Sequence, residues 1–537
     1  MKAAAHIERF KSKDYQSPTI LNEQIKLLGN TLLREKLKQI YGAKWFSILA
    51  DETRDIANRE QLSISIRWAD DDFVVFEDFI GLVELTDTSA QTIYLSIKDV
   101  LIRLSLSLEN CRGQAYDGAS NFMGKINGVA RKIQNEFPKA IPVHCFAHCL
   151  NLSLQDSCRD LRCVRDALDL VKEVASLIKF SPKRQVLFER IKLDTGNTSS
   201  LIKPLCPTRW TVKTSAISAV LQNYSEVIET MDEVNESGND EYSRRAGGVS
   251  CLMQKFSSYF GLKLAHMLFS ATEQLSTSLQ YKDCCVSDVD AGLQAVVSFC
   301  DRHRTDVSFD TFYDQVVSES AKLPRYKRVP KRLDQGTESV RFDNTRDYYR
   351  QQYIESIETV KGQVQKRLQS NELNTMQDVE QLLINAANGT FTGIPESVKA
   401  NYGTDIDMQK LEAQLRLLSD LIKGSSDVKC VTSIRTICDV LLKVSGGKSF
   451  MSCVVKLLKL YLTVPVTTAT AERSFSALRR LKTYLRSTMT QQRLNNLILL
   501  SCHKEDTDKL NIRDVAKMFV GSSIERIAYF GSFDELL

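Results

Sequence analysis

The chain has 537 residues, 43% of them hydrophobic and 26% charged, with a formal net charge of +5, an ordinary balance for a soluble globular protein of two or three domains. So small a charge excess permits nucleic-acid binding only where cations are clustered. Fourteen cysteines at irregular spacings, with no Cys-x-x-Cys and no secretory leader, exclude a disulfide framework and read as reduced thiols.

In chain order, Ile20, Leu21, Ile25, Leu28, Leu32, Leu33 and Leu37 predict one docking helix within residues 1–42, ending near Tyr41. Trp45 to Ala50 is a short, nearly continuous apolar run, the pattern of a central strand covered on both faces, and Asp51 stands at its end. Gln61 to Trp68 alternates strictly and Phe73 to Leu82 follows, so the polar link Ala69 to Asp72 is expected to close an antiparallel hairpin. Its three aspartates read as a solvated turn.

Ser89 to Leu108 is an expected amphipathic helix leading to a strand, Cys111 to Tyr116, followed by Asp117-Gly118-Ala119-Ser120-Asn121. A helix carrying Ile126, Val129, Ala130, Ile133 and Phe137 should stop before Pro138, and Ile141 to Cys145 makes a fifth strand. Helices follow from about Ala147 to Phe180. This order predicts a mixed sheet whose first and fourth strands lie parallel, joined by a right-handed crossover. After Thr208-Arg209-Trp210 the strand patterns cease, and residues 213–445 read almost wholly as helices. The most apolar run, Cys453 to Val466, is broken by Lys456 and Lys459, so no membrane span is expected.

The stretch Thr467 to Leu500 has the most unusual composition. From Arg473 to Lys504 there are seven Lys or Arg residues and no Asp or Glu, with Glu472 alone at the edge. Read as a helix, Phe475, Leu478, Leu481 and Leu485 form a buried stripe, and Arg479, Lys482 and Arg486 a basic one facing an anion. A second helix should begin at Thr490, whose hydroxyl can cap it, and carry Leu494, Leu497, Ile498 and Leu500 as a surface for a partner helix.

Asp51 and Asp117 would lie side by side at the carboxyl ends of neighbouring strands, where sites of open α/β sheets collect. Read locally, Asp117-Gly118 is first a turn dipeptide and Glu472 a first-turn acid favoured by the helix dipole. Cys145-x-x-His148 offers two ligands where a structural zinc needs four, so no structural zinc is predicted. Arg209-Trp210 reads either as an ion-paired Arg beside a core Trp, or as a phosphate contact beside a base-stacking ring. Lys327 to Arg332 reads as a solvated loop or a nuclear import signal.

Ala469-Thr-Ala-Glu-Arg-Ser-Phe-Ser-Ala-Leu-Arg-Arg-Leu-Lys-Thr-Tyr-Leu-Arg-Ser487, followed by Met489-Thr-Gln-Gln-Arg-Leu-Asn-Asn-Leu497, resembles the C-terminal region of hAT-family DNA transposases and of cellular proteins descended from them, such as zinc finger MYM-type and BED-type relatives. The resemblance implies an α/β plus α fold: a ribonuclease-H-like mixed sheet interrupted by a large all-helical insertion, with a helical C-terminal dimerisation region. It divides the chain into a lead-in (1–42), the first part of the core (43–212), the insertion (213–445) and the return of the core with the dimerisation region (446–537).

It implies Asp51, Asp117 and Glu472 as catalytic acids and ligands of Mg2+ or Mn2+ in DDE-type strand cleavage and transfer, with Cys145 and His148 supporting the site. DNA would meet Arg209, Trp210, Arg473, Arg479, Arg480 and Lys482, and a homodimer or higher oligomer would form through Leu494, Leu497, Ile498 and Leu500. No small-molecule cofactor is expected. Relatives carry an N-terminal zinc finger that reads transposon ends, and residues 1–42 hold no Cys/His pairs for one. The two expected functions are therefore a metal-dependent transposase body and a domesticated, non-catalytic nuclear scaffold or transcription-related factor.

Overall fold

The computed structural model describes residues 15, 17–205, 213–281, 284–320, 322–325, 342, 344–368, 374–425 and 430–531. By internal contacts the chain forms two units, one made of Met1–Cys145, Tyr281–Ser287 and Asn371–Leu537, the other of Phe146–Gln280 and Asp288–Ser370.

The first unit opens with α1, Pro18–Ala43. Ser17 caps it by accepting the Ile20 N–H at 3.3 Å, and Pro18 takes the first turn, where its missing N–H costs nothing. Strands β1 (Phe46–Arg54), β2 (Glu60–Ala69) and β3 (Val75–Leu85) follow, then α2 (Ala90–Arg103), β4 (Cys111–Tyr116), α3 (Val129–Glu136) and β5 (Ile141–His144). The sheet order is β3-β2-β1-β4-β5. β1 is antiparallel to β2 and parallel to β4, and β4 is parallel to β5, the mixed sheet expected from the sequence.

Several boundaries differ from expectation for local reasons. α2 stops at Arg103 rather than Leu108, where Ser105 adopts φ 52° and turns the chain. Ile126, expected on a buried helix face, is 83% exposed, because the chain between Met123 and Val129 turns through Gly124 and Gly128 before α3 begins. The Asp70 to Asp72 turn is more than solvated. Asp70 Oδ1 accepts the N–H groups of Asp72 and Val74, Asp71 pairs with Lys459 at 2.7 Å, and Asp72 pairs with Lys448 at 2.8 Å.

One sheet face packs against α2 and α3, with Ile48, Ile64 and Ile66 against Ile93, Ile97 and Ile133. The other is covered by α4 (Ser452–Thr463), α5 (Ala469–Leu481) and α6 (Gln491–Cys502). Three polar contacts fix that covering: Arg67 Nε donates to the Leu462 carbonyl at 3.0 Å, Ser63 and Ser474 hydroxyls meet at 2.8 Å, and Gln61 and Gln491 exchange hydrogen bonds. α7 (Ile512–Gly521) and α8 (Ile524–Phe530) close against α1 through Phe519, Val520 and Phe530, with a forked Arg526–Glu23 pair. Lys36 of α1 is buried between Asp78 at 3.1 Å and Asp506 at 2.7 Å.

Two enclosed carboxylates give this unit an acid limit. Burial alone would raise Asp55, but its hydrogen bond from Lys482 and the N–H groups of Arg59 and Ala57 outweigh that and hold it below the usual range. Asp405 is likewise raised by burial and more strongly lowered by Arg112, whose guanidinium forks onto it at 2.7 and 3.0 Å. A depressed folded pKa means that the unfolded chain binds the proton first, so this stability is full above about pH 4 and falls as pH drops through the folded values. Urea midpoints measured downward from pH 6 should therefore decline below about pH 4, and Arg112→Met should flatten part of that decline.

The regular elements of the second unit's described residues are all helices, from Phe146–Asp160 to Thr345–Leu368. Its core includes an aromatic group in which Tyr349 meets Phe256 and Phe260 at centroid separations of 5.0 and 4.7 Å. Among the described residues no strand follows His144, no helix is long and apolar enough to cross a membrane, and every cysteine is free.

Candidate functional site

Asp51 pairs with Ser63 across β1 and β2, so both side chains lie on the face covered by α5, where Ser474 bonds Ser63 two residues beyond Glu472. Asp117 follows β4, the parallel neighbour of β1, and its Oδ1 accepts the Ala119 N–H at 3.1 Å. Glu472 is exposed in the first turn of α5. The Asp51 carboxyl is pushed well above the usual carboxylate range, first by burial and then by the negative charge of Asp117, with Glu472 and Glu52 adding to it and the Glu52 N–H opposing. The acids expected to act together thus stand within one another's field.

Glu52 went unassigned in the sequence. On the opposite face of β1 from Asp51, it accepts the Asn121 amide at 3.0 Å, while its Oε2 is buried without a hydrogen-bond partner among the described residues. Burial raises its pKa, the Asn121 bond lowers it, and Asp117 raises it further. The signal was present as two adjacent acids following the apolar run, since neighbouring residues of a strand point to opposite faces. His144 ends β5 beside this loop, and a β-carbon on Gly118 would lie 2.3 Å from its Nε2, so any side chain at 118 would have to displace the His144 ring.

The helix bearing Glu472 is held along its length. Thr470 donates to Glu77, which pairs with Arg67 at 2.7 Å, both charges being 2% exposed. Cys145 Sγ accepts the Thr468 N–H at 3.2 Å just before the helix starts. At the far end Lys482 pairs with Asp55 at 2.6 Å, at 1% and 0% exposure.

That pair corrects an expectation. Lys482 faces a buried carboxylate rather than solvent and cannot meet DNA, whereas Arg473, Arg479 and Arg480 are exposed. Leu485 is 89% exposed because α5 ends at Leu481, four residues before it. Thr490 stands at the start of α6, but its side chain makes no capping hydrogen bond. Leu494 and Ile498, expected on a surface for a second copy, are 0% exposed and packed within the chain against Leu32, Phe79 and Leu82, while Leu497 and Leu500 are half-buried. Arg209, Trp210 and residues 327–332 lie outside the described residues, and His148 belongs to the second unit.

Residues 2–128 match the family model of the ZMYM1/FAM200 RNase-like domain, residues 143–246 that of the ZBED1 RNase-like helical domain, and residues 426–505 that of the hAT family C-terminal dimerisation region. These matches agree with the resemblance of residues 469–497 to hAT-family transposases and transposase-derived proteins. The chain is 24% identical over 529 residues to the human 52 kDa repressor of the inhibitor of the protein kinase, an alignment covering 94% of the chain and 68% of that protein. The mouse protein of the same name is 23% identical over 530 residues, with the same shares. A bovine general transcription factor II-I repeat domain-containing protein 2 is 30% identical over 105 residues, 19% of this chain and 11% of that one.

The fit to a divalent cation is mixed. Carboxylate oxygens are the donors Mg2+ prefers. Among the described residues, however, no three His, Cys, Asp or Glu side chains stand close enough to share an ion. The donor chemistry of Asp51, Asp117 and Glu472 suits such an ion.

Proposed function

We propose that this chain is the body of a domesticated, transposase-derived nuclear factor that self-associates, binds DNA through a basic surface and serves transcriptional control rather than transposition. The observation carrying this reading is similarity across 94% of the chain to a protein named as a repressor, and the match to a dimerisation region supports self-association.

Light scattering at micromolar concentration, together with fluorescence anisotropy on duplex DNA, tests it. A dimer that binds DNA and leaves it intact in Mg2+ or Mn2+ is expected, and a monomer overturns the scaffold. A second reading, metal-dependent strand cleavage and transfer, is favoured by the raised Asp51 carboxyl beside Asp117 and Glu472. Nicking that disappears in Asp117→Ala and Glu472→Ala would put that reading first.

A further inference from the structure

Among the described residues of the C-terminal region, the segment between α5 and α6 carries the most exposed aromatic and aliphatic side chains, Tyr484 at 83% and Leu485 at 89%. It is nevertheless well anchored. Tyr484–Arg486 forms a short turn closed by the Arg486 N–H on the Thr483 carbonyl at 2.8 Å, and the Met489 N–H bonds the Arg486 carbonyl at 3.2 Å. Lys482 roots it in the buried pair with Asp55, and Leu481 and Met489 pack on the cluster of Leu32, Leu478 and Leu494. Around the exposed pair stand Arg479, Arg480 and Arg486, all exposed and none in an ion pair among the described residues.

We propose that this turn is a nucleic-acid platform, with phosphates on Arg479, Arg480 and Arg486 and the Tyr484 ring, backed by Leu485, on the face or step of a DNA base. The proposal deepens the DNA-binding part of the function above and rests on it. The charge decides the occupant. A second copy docking symmetrically here would bring the same arginines against themselves, whereas a DNA strand neutralises them and releases its counterions. An aromatic ring on a rigid turn also loses little conformational freedom on stacking, and a base offers a π-face whatever its sequence.

The test is anisotropy of the intact chain with a fluorescein-labelled oligonucleotide, single-stranded and as its duplex, over a series of salt concentrations. Tyr484→Ala should weaken binding by roughly 5- to 150-fold at every salt concentration, with Tyr484→Phe close to the parent. The triple Arg479→Gln, Arg480→Gln, Arg486→Gln variant should reduce the slope of log affinity against log salt by about 2 to 3. The single-strand and duplex arms distinguish an unpaired base from a wedged base step. Since these side chains are exposed, the variants should melt as the parent does. Parent-like binding by Tyr484→Ala, or an unchanged salt slope in the triple variant, overturns the platform alone. Absence of DNA binding by the parent chain overturns the DNA part of the proposed function as well. Loss of the dimer in Tyr484→Ala with DNA affinity unchanged would assign the turn to self-association instead.

Discussion

Lys482→Met is expected to destabilise the sheet-bearing unit by about 3 to 5 kcal/mol, the usual cost of removing one partner from a buried ion pair. Lys482 and Asp55 are 1% and 0% exposed at 2.6 Å, and Asp55 also accepts bonds from Gln61 and from the Ala57 and Arg59 backbone. Without the ammonium, a carboxylate set up to be ionised stays enclosed by neutral donors only, and its proton affinity rises towards what burial alone would impose. Urea melts at pH 7 should show the loss, and adding Asp55→Asn should recover much of it, the non-additivity expected of a contacting pair. Equal stabilities for parent and Lys482→Met would mean that the pair is open to water. The same variant should leave the salt dependence of DNA binding unchanged, since its charge never reaches the surface.

Leu494→Ala should cost about 2 to 5 kcal/mol by leaving a cavity among Leu32, Phe79 and Ile498. The more informative quantity is how that loss depends on concentration. A side chain filling its own protomer's core lowers the melting temperature equally at all protein concentrations, whereas one at a subunit boundary makes the loss concentration-dependent by mass action. The structure predicts the first behaviour. A concentration-dependent loss would instead put Leu494 between protomers.

Much of the first unit was legible because its strands carry unambiguous patterns. The alternation from Gln61 to Trp68 and the apolar run ending at Ala50 correspond to β2 and the first half of β1, and the crossover rule then placed β1 beside β4. Asp117 was findable as the residue after a strand, and Asp51 as the first acid after the apolar run, although β1 continues past it to Arg54 rather than ending there. What was not legible was which side of an amphipathic helix meets protein and which meets solvent. Lys482 and Leu494 looked like surface residues because periodicity marks a stripe without naming its neighbour. Their partners, Asp55 and Leu32, lie more than 400 positions away in the chain. Thr470 and Glu77 were missed likewise, since neither carries a local signal for a contact made across the sheet.

The covering of one sheet face by residues 452–502, and of α1 by the helices after them, sets the order in which the protein can be made. At about 5 to 20 residues per second, synthesis leaves the face bearing Leu49, Ser63 and Arg67 without its lid for tens of seconds after β1 to β3 have emerged. Local hairpin and crossover contacts can form early on the opposite face, but the buried charges Arg67 and Asp55 must wait for Leu462 and Lys482. The nascent chain therefore presents unpaired charge and apolar surface together, a state suited to chaperone capture. Docking of α7 and α8 onto α1 joins segments about 500 residues apart and so comes later still.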